Sequence, residues 1–250
     1  MKSGLEKRLR HRFGKAVHDW GMIKDKDRIL VGISGGRDSL TLLQILFIQE
    51  KIAPVKFDIV PVHIDPGFEG SFAKDLEKYV LEKYKGQHFK PLQVEYTDYG
   101  PRAHSKAERE NPCFLCARMR RTRLFEIAEE QGCKKIALGH NKDDIIETLF
   151  INMFYAGKIA AMKPRQSFFS GAIDIIRPLS YVEKKDIILF SNMQKTPVFV
   201  NNCPSANSTK RSEIRSMLES LYITNKNIKG NIFRAMGNIA SDYLLEIEND

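Results

Sequence analysis

The stretch RILVGISGGRDSL, residues 28–40, decides the fold. Residues 28–33 form a short apolar run, typical of a buried strand, and the Ser34-Gly35-Gly36 sequence interrupts it. A strongly apolar helix is predicted over residues 40–49. Glycines let the backbone approach an anion closely, and the first N–H groups of a helix attract negative charge. The stretch therefore predicts a strand, a phosphate-binding loop and a helix in that order.

The side chains of this loop fit the same chemistry. Ser34 and Ser39 supply hydroxyl donors, and the carboxylate of Asp38 is a ligand type that hydrated Mg²⁺ prefers. The loop matches neither G-x-x-x-x-G-K-[ST] nor G-x-G-x-x-G. The alternative is an ordinary strand-to-helix turn that binds nothing.

Strands and helices alternate outward from this loop. Further strands are predicted over residues 57–64, 88–96, 135–139 and 198–200, with helices between them and a loop over 156–174. This alternation predicts an α/β fold, a doubly wound parallel sheet of about five strands. Ligands bind such sheets at the carboxyl ends of the strands, which places Ser34, His63 and Gly139 along one edge.

Helical additions are predicted at both ends of the chain. An amphipathic basic helix is expected over residues 4–20, and two helices are expected over 210–221 and 227–243. The predicted organisation is a basic N-terminal helix, a catalytic domain and a C-terminal helical segment, with ranges 1–24, 25–203 and 204–250.

Composition narrows the class of protein. The 250 residues are 42% hydrophobic and 28% charged, which is the balance of a globular chain and excludes a mainly disordered one. No apolar run reaches the roughly 18 residues that a membrane-spanning helix needs. The start is basic and lacks the apolar core of a signal peptide, so a cytoplasmic location without a membrane partner is expected.

Charge points to a polyanionic partner. The 40 Lys and Arg residues exceed the 31 Asp and Glu residues, giving a formal net charge of +9. The excess concentrates in residues 1–15 and 102–123, and clustered basic residues favour nucleic acid as the partner. The candidate phosphate-binding residues are Lys7, Arg8, Arg10, Arg12, Arg118, Arg121 and Arg123.

The four cysteines are a second indication of function. Cys113 and Cys116 form a C-x-x-C at the start of a predicted helix that is rich in arginine, and Cys203 lies far downstream. A helix start and nearby arginines lower thiol pKa values, which suits thiolate ligands or nucleophiles. Zinc, a redox dithiol and an iron–sulfur cluster all remain possible from the spacing. Cys133 matches no motif and is expected to be a packed thiol.

Two motifs together resemble a known family. SGGRDS resembles the S-G-G-x-D-S loop of the PP-loop ATP pyrophosphatases, although Arg37 stands where that family often has Lys. GHNKDDIIETLFIN, residues 139–152, resembles the G-H-x-x-D-D-x-x-E-T-x-x-x-N element of one PP-loop branch, and Arg177-Pro178-Leu179 is a further landmark. A helix N-cap with acidic residues in its first turn explains Asp143 and Asp144 but not the whole string. With the C-x-x-C, the chain resembles the tRNA 2-thiocytidine synthetases of this family over about residues 20–240.

The resemblance implies an enzyme with the adenine nucleotide alpha hydrolase-like fold. It would be a tRNA sulfurtransferase that adenylates the C2 oxygen of a cytidine in the anticodon loop and replaces that oxygen with sulfur. Its implied cofactors are Mg²⁺ and a 4Fe-4S cluster, with ATP as substrate. Its implied partners are tRNA and a sulfur donor, either free sulfide or sulfur from a cysteine desulfurase, and we expect a homodimer. The alternatives are a 2-thiouridine synthetase, a lysidine-type ligase, a small-molecule PP-loop ligase, or a non-catalytic cluster or zinc protein that binds nucleotide.

The resemblance also implies roles for individual residues. Catalysis is assigned to Asp38, Cys113, Cys116 and Cys203, the last three as ligands of the cluster, and Mg²⁺ to Asp38 and Asp144. The ATP-binding residues are Gly32, Ser34, Gly35, Gly36, Arg37, Asp38, Ser39, His63, Ile64, Arg120, Gly139 and Asp144. Many members have a second C-x-x-C at the last cysteine, whereas this chain has Asn202-Cys203-Pro204-Ser205.

Overall fold

The computed structural model describes residues 2–86, 89–108, 111–200, 202–205 and 210–244. In chain order, the strands are β1 (Asp27–Gly32), β2 (Phe57–Asp65), β3 (Gln93–Tyr96), β4 (Lys135–Ala137), β5 (Arg165–Phe168) and β6 (Ile173–Ile176). The helices are α1 (Lys2–Asp19), α2 (Arg37–Ile52), α3 (Ala73–Lys83), α4 (Tyr99–Ala103), α5 (Pro112–Glu130), α6 (Lys142–Ala156), α7 (Lys184–Met193), α8 (Lys210–Thr224) and α9 (Ile228–Ala235). Short 3₁₀ turns occupy Phe169–Gly171 and Ser241–Tyr243.

The six strands form one sheet in the order β3-β2-β1-β4-β6-β5. Its centre is β1, where Leu30 pairs with Val60 of β2 on one side and with Ile136 of β4 on the other. All neighbouring strands run parallel except β5, which is antiparallel to β6. The carboxyl ends of the five parallel strands therefore share one edge, and the chain reverses its direction of winding between β1 and β4. This is the position at which open α/β sheets bind ligands.

Helix α1 forms because its apolar residues repeat at helical spacing. Leu5, Leu9, Phe13 and Ala16 are all buried in the larger apolar cluster of the core. The opposite face is basic, but two of its arginines, Arg8 and Arg12, bind a carboxylate of the same protein. The carboxylate of Asp186 in α7 accepts hydrogen bonds from Arg8 Nη2 at 2.7 Å and from Arg12 Nη1 at 2.9 Å.

One predicted strand is absent from the structure, and one strand lies where a loop is predicted. Residues 198–200 form no strand, because Val198 and Val200 are exposed and only Phe199 packs inward, against Phe72 and Tyr79. The predicted loop over 156–174 contains β5 at the edge of the sheet. That strand is only four residues long and carries polar side chains, so its period-two signal is weak. The sheet thus has six strands, and one of them is antiparallel.

Other predicted boundaries shift by a few residues. The predicted strand over 88–96 begins at Gln93, and its residue 88 lies outside the described residues. The short helix α4 lies between β3 and α5. The predicted helix over 227–243 ends as α9 at Ala235.

The described chain divides into two compact units. The first contains residues 1–143 and 163–208, and the second contains 144–162 and 209–250. Within the second, Ile146, Ile214 and Leu218 form an apolar cluster, and Arg215 donates two hydrogen bonds to the buried carboxylate of Glu147. The predicted boundaries at residues 24 and 203 remain a proposal about domain organisation. Among the helices of the described residues, none is both long and apolar enough to span a bilayer.

Replacing Asp186 by Asn tests the attachment of α1. The buried carboxylate, 3% exposed, accepts charge-assisted hydrogen bonds that an amide cannot reproduce. We expect Asp186→Asn to lower the free energy of unfolding by about 2 kcal/mol, measured by urea denaturation. Asp19→Asn is the matched control, because Asp19 also accepts from one cation, Lys15, but on the exposed surface of α1. Equal losses in both variants would contradict a structural role for Asp186.

Candidate active site

The loop between β1 and α2 is closed by its own serines. The backbone N–H of Ser34 donates to Ser39 Oγ at 3.1 Å, and the two hydroxyl oxygens also lie 3.1 Å apart. Ser39 Oγ in turn donates to the carbonyl of Gly36 at 3.0 Å. Ser39 is buried and Ser34 is exposed. The two hydroxyl groups thus fix the shape of the loop, and Ser34 remains accessible to a ligand.

The start of α2 has the chemistry of an anion site. No side chain caps the helix at Gly36, so the first N–H groups of α2 keep their hydrogen-bonding capacity. Gly35 has φ +79°, and a Cβ there would lie 2.6 Å from Phe72 Cε2. At Gly139, a Cβ would lie 2.9 Å from the backbone nitrogen of Ser39. Both positions therefore require glycine, and the cradle that they leave fits a phosphate group.

Asp38 has partners that the sequence did not predict. Its Oδ2 accepts from Lys184 Nζ at 2.5 Å, and its Oδ1 accepts from Asn141 Nδ2 at 3.3 Å. Asn141 is fully buried, and its own Oδ1 accepts from the backbone of Asp143. Lys184 is the first residue of α7, where the helix dipole disfavours a cation. That unfavourable placement was the available signal for a functional lysine.

His63 lies at the same carboxyl edge of the sheet, near the end of β2. Its Nδ1 donates to the carbonyl of Ile33 at 2.7 Å, and its ring lies against Phe72. Burial lowers the pKa of His63, and the nearby charge of Arg120 lowers it further, so the imidazole is held neutral. His63 also lines a small pocket together with Asp65, Ser71, Phe72, Val200 and Asn202.

Cys116 interacts electrostatically with two of the other three thiols. Cys113 and Cys116 lie in the first turn of α5, where Asn111 caps the helix by accepting from the backbone of Cys113. Burial raises the pKa of the Cys116 thiol, while Arg120 opposes this and the nearby thiols Cys203 and Cys113 raise it again. Cys116 is therefore within electrostatic range of both other cysteines.

Two hydrogen bonds hold the segment that carries Cys203. Asn202 Nδ2 donates to the carbonyl of Glu69 at 3.0 Å. His104 Nε2 lies 2.9 Å from Ser205 Oγ, and His104 Nδ1 lies 2.9 Å from the carbonyl of Gly100. The segment is thereby fixed on both sides of the cysteine. Cys133 is buried before β4, at the opposite edge of the sheet, where burial raises the pKa of its thiol.

Among the described residues, no group of three His, Cys, Asp or Glu side chains is placed to hold a metal ion. Thiolates are nevertheless the donors that iron–sulfur clusters use, with each cysteine bound to a different iron.

Two arginines at this edge lack full hydrogen bonding. In the part of the chain that the structure describes, the Nε atoms of Arg120 and Arg177 are buried and have no acceptor. Arg120 lies on α5 one turn after Cys116, and its charge also acts on His63. Arg177 Nη1 donates to the carbonyl of Lys163 at 2.6 Å, and burial lowers its pKa to about 10. An anionic ligand would complete the hydrogen bonding of this edge.

The predicted RNA-binding arginines divide into two groups. Arg8 and Arg12 bind Asp186, and Arg123 donates to Glu95, Glu126 and Glu130. These three arginines are committed to carboxylates within the protein. The remaining candidates are Lys7, Arg118 and Arg121, which are exposed, and Arg10, which lies 3.8 Å from Glu6.

The acidic residues of the GHNKDDIIETLFIN motif, residues 139–152, have different partners in the structure. Asp143 accepts from the backbone N–H of Lys184 at 2.8 Å in the first unit, whereas Asp144 belongs to the second. Thr148 Oγ1 donates to the carbonyl of Asp144, and the buried Glu147 is held by Arg215. Burial raises the pKa of Glu147, and the arginine opposes that shift. Glu147 and Thr148 therefore stabilise the second unit.

A parallel sheet with an uncapped, glycine-lined helix start at its switch point defines a nucleotide-binding α/β protein. Residues 5–221 match the PP-loop domain family. The chain is 38% identical to the tRNA-cytidine(32) 2-sulfurtransferase of Geobacter sulfurreducens over 245 residues, covering 97% of this chain and 93% of the relative. It is 41% identical to the protein of the same name from Vibrio vulnificus over 256 residues, covering 98% and 78%. The chain therefore belongs to the PP-loop domain family and, within it, to the tRNA-cytidine(32) 2-sulfurtransferase family.

Solved structures share the fold. The U34-tRNA thiolase NcsA from Methanococcus maripaludis, determined with its [4Fe-4S] cluster, superposes with a TM-score of 0.79 at 22% identity and covers 99% of this chain and 83% of its own. An NAD+ synthetase from Burkholderia pseudomallei superposes with a TM-score of 0.52 at 14% identity, covering 98% and 91%. The predicted α/β class and family are thus confirmed.

Substitution of Gly139 tests the phosphate cradle. The added Cβ of Gly139→Ala would lie 2.9 Å from the backbone nitrogen of Ser39 and so displace the first turn of α2, which is the proposed phosphate site. We expect the affinity for ATP to fall at least about tenfold, which is about 1.4 kcal/mol, by isothermal titration calorimetry. Gly14→Ala in α1 is the control, because its Cβ would meet nothing within 4 Å. Unchanged ATP affinity in folded Gly139→Ala would place the nucleotide elsewhere.

Proposed function

We propose that the chain is an ATP-dependent tRNA sulfurtransferase that replaces the C2 oxygen of cytidine 32 with sulfur. The observation that carries this proposal is the uncapped, glycine-lined start of α2, which offers a phosphate site at the same carboxyl edge as the C-x-x-C of Cys113 and Cys116. An enzyme that couples ATP cleavage to sulfur transfer needs these two sites side by side. The names of the relatives support the substrate and its position.

The proposed nucleotide contacts follow the geometry of the loop. The N–H groups at the start of α2, with the hydroxyl of Ser34, bind phosphate oxygens. The complete proposed set is Gly32, Ser34, Gly35, Gly36, Arg37, Asp38, Ser39, His63, Ile64, Arg120, Gly139 and Asp144. Neutral His63 offers a base-binding surface without adding charge.

We assign Mg²⁺ to Asp38 and Asp144. Asp38 is placed at the loop but bonded to Lys184, so metal binding requires this ammonium group to leave the carboxylate. Phosphate oxygens are its natural new acceptors, because ATP brings negative charge to the same edge. Lys184 thus neutralises Asp38 before ATP binds and contacts the nucleotide afterwards. Asp144 is assigned from its motif.

Cys113, Cys116 and Cys203 would hold the iron–sulfur cluster. The donor set fits, because thiolates are the ligands that iron–sulfur clusters use and Cys116 lies within electrostatic range of both Cys113 and Cys203. A cluster held by three cysteines leaves one iron without a protein ligand, and such an iron can bind the sulfur that is transferred. The asparagine cap and the bonds from Asn202 and His104 orient the three cysteines.

The reaction needs activation because a pyrimidine C2 carbonyl is a poor electrophile. Its oxygen attacks the α-phosphorus of ATP, the bond to pyrophosphate breaks, and the C2 oxygen becomes part of an AMP leaving group. A sulfide-level sulfur then attacks C2, and AMP departs with the original oxygen. The backbone N–H groups of the loop and the cation of Arg120 stabilise negative charge on phosphate in both steps. Free sulfide supplies this sulfur directly, whereas sulfur from a cysteine desulfurase arrives as a persulfide and needs two electrons from a thiol reductant to reach the sulfide level.

We assign tRNA binding first to the exposed cations Lys7, Arg118 and Arg121. Arg8, Arg10, Arg12 and Arg123 contribute less, because each lies beside a carboxylate. Salt-dependent affinity is the expected signature of such phosphate contacts. A homodimer is the proposed assembly.

Reconstituted thiolation tests the proposal. We expect the anaerobically purified protein to carry about four irons and, with ATP, Mg²⁺, sulfide and tRNA, to release pyrophosphate and form 2-thiocytidine, detected by mass spectrometry of nucleosides. Cys113→Ala, Cys116→Ala and Cys203→Ala should each lose iron and thiolation. Cys133→Ala is the control and should keep both, since Cys133 is buried at the opposite edge. Zinc in place of iron, or pyrophosphate release without thiolation, would overturn the proposal.

A further inference from the structure

An exposed aromatic ring stands between the two cysteines of the C-x-x-C. Phe114 is 62% exposed, although it follows Cys113 directly and lies in the first turn of α5. Pro112 begins this helix, and Asn111 Oδ1 accepts from the backbone N–H groups of Cys113 and Phe114. The backbone that presents the ring is therefore fixed, so little conformational entropy is lost when a ligand binds it.

The surroundings of this ring are cationic. Arg118 lies one turn later on α5, and its guanidinium carbon is 5.7 Å from the centroid of the Phe114 ring. Arg121 is exposed a further turn along the helix and, at the spacing i, i+4 and i+7, shares a face with both residues. The face thus combines one aromatic surface with two cations, which is the combination that binds unpaired nucleotides.

We propose that Phe114 is a stacking platform for an unpaired nucleobase of the tRNA anticodon loop. The inference rests on the proposed function, because sulfur transfer requires the target base to reach the thiols that flank this residue. One face of a pyrimidine stacks on the ring, and Arg118 and Arg121 contact the adjoining phosphates. Phe114 is thus a substrate-binding residue that positions the base beside Cys113 and Cys116.

A second exposed phenylalanine provides the comparison. Phe169 is 63% exposed, so exposure alone does not distinguish the two residues. It precedes β6 and therefore lies at the amino edge of the sheet, away from the thiols, where its ring packs against Phe125. Phe169→Ala consequently removes the same amount of side chain without touching the proposed platform.

The first test is the affinity for an anticodon stem-loop RNA, with the cluster-loaded protein kept anaerobic. We expect Phe114→Ala to weaken binding roughly tenfold, and Phe114→Tyr and Phe169→Ala to bind like wild type. The slope of log affinity against log salt should not change, because no charge is removed. Iron content and ATP affinity should also stay at the wild-type level. Wild-type RNA affinity in Phe114→Ala would overturn the inference.

The second test reports contact directly. Trp20 is the single tryptophan of the chain, so Trp20→Phe combined with Phe114→Trp places the only indole at the platform. Its fluorescence should be quenched on adding the stem-loop, but not on adding a fully paired duplex of the same length. Trp20→Phe alone provides the blank. Binding of the stem-loop without quenching would refute stacking.

The two proposals fail differently. If wild type thiolates tRNA while Phe114→Ala thiolates and binds equally well, only the platform is wrong. If wild type neither binds nor thiolates tRNA, the proposed function is wrong and the platform with it.

Discussion

The contact between Gly139 and the first turn of α2 is the constraint on which the rest of the site depends. Because β1 and β4 are adjacent and parallel, the loops that leave their carboxyl ends meet directly. Only a glycine at 139 lets the backbone reach the nitrogen of Ser39. This close approach forms the wall of the cradle beside the uncapped helix start, and it brings Asn141 to Asp38. The proposed phosphate site, and the position that we propose for the nucleotide, follow from that packing.

Many arginines in this protein stabilise the fold by binding carboxylates, as Arg8 and Arg12 do at Asp186 and Arg123 does at three glutamates. Four arginines have a buried Nε atom without an acceptor among the described residues, namely Arg10, Arg28, Arg120 and Arg177. Of these four, Arg120 and Arg177 lie at the carboxyl edge. A buried nitrogen without an acceptor destabilises a fold, so an anion bound at this edge would remove that cost for Arg120 and Arg177.

The sequence predicted the local features well because strong short-range signals produce them. The loop from Ser34 to Ser39, the helix that follows the C-x-x-C and the alternation of strands with helices all come from glycine placement and apolar periodicity. It missed the pair of Lys184 and Asp38, whose residues are separated by 146 positions, since only the folded sheet brings them together. It also missed the edge strand β5, which has too few apolar residues to show a period. The charges of Arg8 and Arg12 looked available for RNA because Asp186 lies far away in the chain.

The central claim is that ATP activates the C2 oxygen of the target cytidine at the same edge that presents the thiols. An anticodon stem-loop RNA with ¹⁸O at C2 of cytidine 32 tests it in one turnover with ATP and sulfide, with mass spectrometry of the AMP formed. The account predicts that the label moves into the phosphate of AMP as 2-thiocytidine appears. Formation of 2-thiocytidine with unlabelled AMP would contradict adenylation of the base.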